Sequence, residues 1–112
     1  MCIRDRDQFS PGLIASALLL SAMIWAVNIA VAFVLFKASG FEGLGLVEAT
    51  MVTLCIAAAL AAPAPVGGFG VFEAGAVVGL LFFGSAAAVT EASAAVYGLV
   101  IHLVHFLSLI HI

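Results

Sequence analysis

From Gly12 to Phe36 the chain carries no charged side chain, and only Ser16, Ser21 and Asn28 interrupt an otherwise apolar run. As a helix this run extends roughly 37 Å, enough to cross a hydrocarbon core of about 30 Å with some tilt. Ser10-Pro11 ahead of it reads as a helix start, with Ser10 as cap and Pro11 in the first turn. Lys37 and Gly40-Phe41-Glu42-Gly43 end it. The remaining sequence supports the same environment. Hydrophobic residues make up 66% and charged residues 8% of the 112, against roughly 45–50% and about 25% in a soluble domain. So few charges cannot cover a water-facing surface, and a bilayer removes that need. The expected class is all-α, a multi-pass bundle of membrane helices.

The two ends read as one DNA sequence in opposite orientations. The reverse complement of a back-translation of Leu107–Ile112 encodes Met-Cys-Ile-Arg-Asp and then Arg or Ser, which is how the chain opens. Residues 1–6 and 107–112 are therefore expected to be translated sequencing adapter, of the kind met in genes assembled from environmental DNA. The native window is taken as residues 7–106, a piece of one transmembrane domain whose partners include missing helices of the same chain. Within it Lys37 stands against Asp7, Glu42, Glu48, Glu73 and Glu91, and Cys55 is the one cysteine. No disulfide framework follows. One basic residue and a net negative charge exclude a nucleic-acid partner.

A second helix is expected from Leu44 or Gly45 to Ala62, with Glu48 in its first turn, where the helix dipole favours a carboxylate. Pro63 and Pro65 stop it. The stretch from Pro63 to Gly70 is expected to be non-helical, yet it holds no charge and only apolar or small residues. Such a backbone is tolerated at membrane depth when it is buried in protein or lines a cavity, so it reads as a re-entrant or broken-helix element. A helix from Val71 to Phe83, about 20 Å long, is too short for an ordinary span and fits a half-helix starting below the membrane surface. Gly84-Ser85 breaks the pattern. The last helix is expected from Ala87 or Ala88 to Phe106.

The segment Pro65-Val66-Gly67-Gly68-Phe69-Gly70-Val71-Phe72-Glu73 resembles the P-x-P-G-G-x-G-x-x-E signature of the lysylphosphatidylglycerol synthase transmembrane family, also called flippase-like membrane proteins. Trp25 in the first span, Glu48 early in the second helix and Tyr97-Gly98-Leu99-Val100-Ile101-His102 near the end extend the likeness over residues 18–106. Val66 departs from the pattern, and so does His105, where a glutamine is commoner. The resemblance implies a multi-pass protein of a bacterial or archaeal cytoplasmic membrane that flips or translocates a lipid or lipid-linked substrate. In some relatives this part is joined to a soluble aminoacyl-transfer domain. No such domain is visible here, so no enzymatic activity is assigned. Other classes remain open: a proton-coupled transporter of small solutes using Glu73, or the membrane part of an aminoacyl- or glycosyl-to-lipid transferase.

Pro65, Gly67, Gly68, Gly70, Glu73, Tyr97 and His102 are the candidate substrate-binding residues, with membrane lipids as partners. A helix beginning at Gly70 or Val71 would aim unpaired amides into the membrane, a setting that suits a lipid phosphate. Glu73 could cap those amides, or meet a cationic headgroup or an arginine from a missing segment. The loop could equally serve only to pack one helix closely on another. Asn28 is expected to hydrogen-bond a neighbouring helix. Glu91 is expected to be solvated at a helix start. His102 and His105 share a face at i, i+3, but zinc needs three or four ligands, and no metal or other cofactor is implied. Gly75 and Gly79 form a GxxxG pair expected to pack helices within the chain. Lys37 would place the end of the first span on the cytoplasmic side.

Overall fold

The computed structural model describes residues 10–84 and 89–111. They form four helices, α1 (Pro11–Ala38), α2 (Leu46–Leu60), α3 (Val71–Phe83) and α4 (Glu91–Ile110), with a single 3-10 turn at Val66–Gly68 between α2 and α3. Three apolar segments are long enough to cross a membrane: Pro11–Ala38, Val66–Phe83 (the turn and α3 together) and Glu91–Ile110. The chain is a multi-pass membrane protein of the all-α class.

Local chemistry sets the helix ends. The Ser10 hydroxyl accepts from the Leu13 amide at 3.2 Å, with Pro11 as the first helical residue. α1 then runs two residues past Phe36 to Ala38. α2 stops at Leu60, earlier than Ala62, because Pro63 disfavours helical backbone just ahead of it. The Pro63–Gly70 stretch is not wholly irregular: it holds the 3-10 turn at Val66–Gly68, which cannot propagate because Gly67 within it has φ +79°. α4 begins at Glu91, where Thr90 is extended and its hydroxyl accepts from the Ser93 amide at 3.2 Å. The expected start at Ala87 or Ala88 lies outside the described residues, as do Ser85 and residues 1–6. Past Phe106 the run Leu107–Ile110 has no breaker, and the helix continues through it.

α2 and α3 form an antiparallel hairpin held by close backbone approach. A Cβ on Gly75 would lie 2.8 Å from the Ile56 Cα, and one on Gly79 3.0 Å from the Val52 Cα. Gly98 brings α4 against α3, where a Cβ would sit 3.3 Å from the Glu73 Cα. The GxxxG pair thus packs helices inside the chain, through the small residues that let backbones meet where water supplies no hydrophobic drive.

Charge marks one end of this bundle. Lys37 ends α1, Glu42 lies in the turn, Glu48 starts α2 and Glu91 starts α4. Leu35 and Ala38 of α1 and the capping Ser39 share a depression with Thr90 and Ser93, so these ends lie together. From that end α2 and α3 reach inward about 22 and 20 Å, short of a core of about 30 Å. Their tip, at Leu60 and Phe72, is level with Ile24, Trp25 and Asn28, halfway along α1. Roughly 20 Å of α1 (Pro11–Met23) continues beyond the tip, exposed throughout. The Pro- and Gly-broken segment is therefore the tip of the α2–α3 hairpin, set beside the middle of α1.

An aromatic cluster ties the charged end. Tyr97 lies 5.1 Å from Phe36 and 6.0 Å from Phe41, centroid to centroid, and its hydroxyl donates to the Ala32 carbonyl at 3.1 Å. Tyr97→Phe should cost about 1 kcal/mol by removing this one buried hydrogen bond, measured as a lower thermal midpoint in detergent.

Candidate functional site

The site is assembled by the hairpin tip, the first turn of α3 and the middle of α4. Pro65, exposed, precedes the 3-10 turn, and its carbonyl accepts from the Gly68 amide at 2.9 Å. Gly67 (φ +79°) and Gly68 (φ +69°) take left-handed conformations that a side chain would strain. Gly68 is also buried, and a Cβ there would lie 2.9 Å from the Leu60 Cδ2. These two turns aim the Gly67 carbonyl at α4. His102 meets it, with Nε2 at 3.0 Å from that oxygen.

Glu73 takes two partners at once. Its Oε2 accepts from the Gly70 amide at 2.7 Å, and its Oε1 lies 2.6 Å from His102 Nδ1. The same cap recurs at α2, where Glu48 Oε2 accepts from the Gly45 amide at 2.8 Å. At α3 the carboxylate of Glu73 itself therefore answers the amide end of the helix, and the partner expected from a headgroup or an arginine is His102. The side chains are 16% and 7% exposed.

Elementary chemistry fixes the proton count of this pair. A carbonyl only accepts, so His102 Nε2 carries hydrogen toward Gly67. One further proton lies between Nδ1 and Oε1, on either atom, and both placements leave the pair neutral overall. That suits a low-dielectric interior, where an unpaired charge is costly. Among the described residues no buried side-chain nitrogen or oxygen lacks a partner. Phe72 stacks on His102 at 4.4 Å with an 11° interplanar angle, and Phe69 lies 4.7 Å away. On one side Glu73 and His102 border a cavity of about 140 Å³ with Phe69 and Phe106.

Gly67, Gly70, Glu73 and His102 are thus joined in one network, with Pro65 and Gly68 shaping its turn. Tyr97 stands apart, held in the aromatic cluster nearer the charged end. Gly98, outside the candidate set, is what lets α4 approach Glu73. The two histidines diverge despite their common face. His105 turns to α1, where its Nε2 lies 2.8 Å from Asn28 Oδ1, the interhelical bond expected of Asn28. Among the described residues no three of His, Cys, Asp or Glu cluster as metal ligands would. Glu91 is exposed as the first residue of α4. Reading the sequence alone does not pair His102 with Glu73. The available signal is that both belong to short apolar segments at similar depth, where each polar group needs a partner.

No curated protein and no solved structure matches the chain. The family model described as the lysylphosphatidylglycerol synthase TM region matches residues 4–111. That match covers most of the chain and establishes that it belongs to the lysylphosphatidylglycerol synthase transmembrane-region family.

Proposed function

We propose that this protein handles a lipid or lipid-linked substrate in a bacterial or archaeal cytoplasmic membrane, moving its headgroup past the re-entrant tip. The observation that carries the reading is a fully satisfied polar network, Gly70–Glu73–His102–Gly67, set halfway through an apolar bundle. A headgroup crossing a bilayer must lose water, and each group that replaces that water lowers the barrier. The network offers both signs by exchange of partners. An anionic headgroup can take the Gly70 amide from Glu73, and a cationic one can take the Glu73 carboxylate from His102. Pro65, Gly67, Gly68, Gly70, Glu73 and His102 are the residues assigned to this role, and Tyr97 serves it by holding α1 to α4.

The test is transbilayer movement of fluorescent phospholipids in proteoliposomes, followed by dithionite bleaching of the outer leaflet. The wild-type chain should accelerate movement over empty vesicles, and Glu73→Ala should slow it by roughly tenfold or more, the loss of one charged hydrogen-bonding partner. Equal rates for both chains and empty vesicles would end the proposal. A second reading, a proton-coupled solute transporter, draws on the single proton shared by Glu73 and His102. Substrate-dependent proton flux abolished by Glu73→Gln would favour it, and lipid movement independent of a proton gradient would favour the first.

A further inference from the structure

Phe72 stands beside His102 in a way that the polar network alone does not require. Gly98 lets α4 approach α3 at Glu73, where a Cβ would lie 3.3 Å from the Glu73 Cα. His102, one turn later on the same face of α4, meets the first turn of α3. Phe72 and Glu73 are consecutive residues of that turn, and consecutive positions on a helix differ by about 100° in direction. His102 is therefore reached from two sides. Glu73 Oε1 lies 2.6 Å from its Nδ1, and the Phe72 ring lies against its face at 4.4 Å and 11°.

An imidazole makes its hydrogen bonds through two nitrogens in the plane of the ring. In His102 these go to Glu73 and, at 3.0 Å, to the Gly67 carbonyl. Turning the ring about its last side-chain torsion would swing both nitrogens off their partners together. That torsion is broad in histidine, so no rotamer preference holds it. A flat neighbour parallel to the ring does, because any turn drives an imidazole edge into it. Phe72 is suited to this, being buried and carried on regular helix. Phe69 is set differently: it is exposed, tilted by 44° to His102, and leans also on Phe106 at 6.0 Å.

We propose that Phe72 is the positioning residue of this site: its ring sets the plane of His102 and so aligns both nitrogens with Glu73 and the Gly67 carbonyl. The signature that the segment resembles leaves the two places ahead of its glutamate open, and Phe72 occupies the second of them. What the aligned network does rests on the lipid handling proposed above. How it is aligned rests on this geometry alone.

Nuclear magnetic resonance of the full chain in nanodiscs, isotopically labelled at the histidine nitrogens, reads the ring directly. The Gly67 oxygen only accepts, so the hydrogen to follow is the one on His102 Nε2, identified by its loss in His102→Gln. Its exchange with water is slow while the bond to Gly67 is made. Phe72→Leu keeps an apolar side chain without a flat surface and should speed this exchange by roughly two- to tenfold, the range of one stacked aromatic pair. Phe72→Met takes its place should the leucine chain fail to fold. Phe72→Tyr keeps the flat surface and should keep the wild-type rate. Leu80→Ala removes a fully buried side chain of the same helix and should lower the thermal midpoint without changing the exchange. An unchanged rate in Phe72→Leu overturns the proposal, as does equal acceleration in Phe72→Tyr or Leu80→Ala. Lipid movement by the same chains separates the two readings. A wild type that moves no lipid, with exchange rates in the expected order, removes translocation and leaves Phe72 as the positioning residue. Lipid movement by the wild type, with an unchanged rate in Phe72→Leu, does the reverse.

Discussion

Gly75→Leu is expected to dismantle the α2–α3 hairpin and leave the chain without a stable fold in detergent. The physical cause is local and steric. Even the first added carbon would lie 2.8 Å from the Ile56 Cα and 3.0 Å from the Cys55 carbonyl oxygen, and neither backbone atom can rotate aside. Overpacking by a methylene or two usually costs about 1–3 kcal/mol. A leucine here adds a branched side chain where one carbon is already too many, so the helices must separate by more than the interface can absorb. Gly75→Ala should show the smaller cost, partly offset by the gain of about 1 kcal/mol in helix propensity. Val78→Leu, on the exposed side of the same helix, should be near neutral. Thermal loss of helical circular dichroism and the monodisperse fraction on size exclusion give the ranking. A Gly75→Leu chain that melts with the wild type would show that the close approach is not needed.

The second large effect belongs to Glu73 and His102. Glu73→Ala should destabilise the chain by roughly 1–3 kcal/mol, the usual cost of leaving hydrogen-bonding groups without a partner in a part-buried site. Two groups lose a partner at once: the Gly70 amide and His102 Nδ1. Glu73→Gln should be much milder. Its amide oxygen can accept from Gly70 while its nitrogen donates to a neutral His102, which still gives its Nε2 hydrogen to Gly67. The replacement matches the form in which the carboxyl holds the shared proton. In a cycle of Glu73→Ala, His102→Ala and the double variant, the double should fall short of the summed single effects by about 1–3 kcal/mol. Unfolding by graded addition of sodium dodecyl sulfate supplies the free energies. Strict additivity would mean that the two side chains do not support each other, and the reading of the tip as one polar network would fall with it.

These two predictions also separate what each kind of close contact does. The glycines of α3 bring backbones together and set how deep the hairpin sits. The Glu73–His102 pair then joins the tip to α4 at that depth. A chain with loosened glycines should lose the pair as well. One without the pair should keep the hairpin, because the contacts of Gly75 and Gly79 to α2 do not involve it.

Much of this architecture was legible in the residues because it depends on near neighbours. The Ser10-Pro11 start, the carboxylates of Glu48 and Glu73 in first turns, and the stop before Pro63 act within a turn of helix. The apolar length of α1 follows from composition and a rise of about 1.5 Å per residue. The shortness of α2 and α3 follows from their breakers, and with it the hairpin tip. What tertiary structure alone decided is which polar groups meet. His102 reaches Glu73 across 29 residues, Tyr97 reaches Ala32 across 65 and His105 reaches Asn28 across 77. No periodicity specifies such pairs, because the rotation and depth of each helix are set by where small residues allow backbones to touch. Tyr97 shows the consequence: its place in the family pattern grouped it with the loop, and packing put its hydroxyl on α1. His102 and His105 share a face by spacing, yet one meets a carboxylate on α3 and the other an amide on α1.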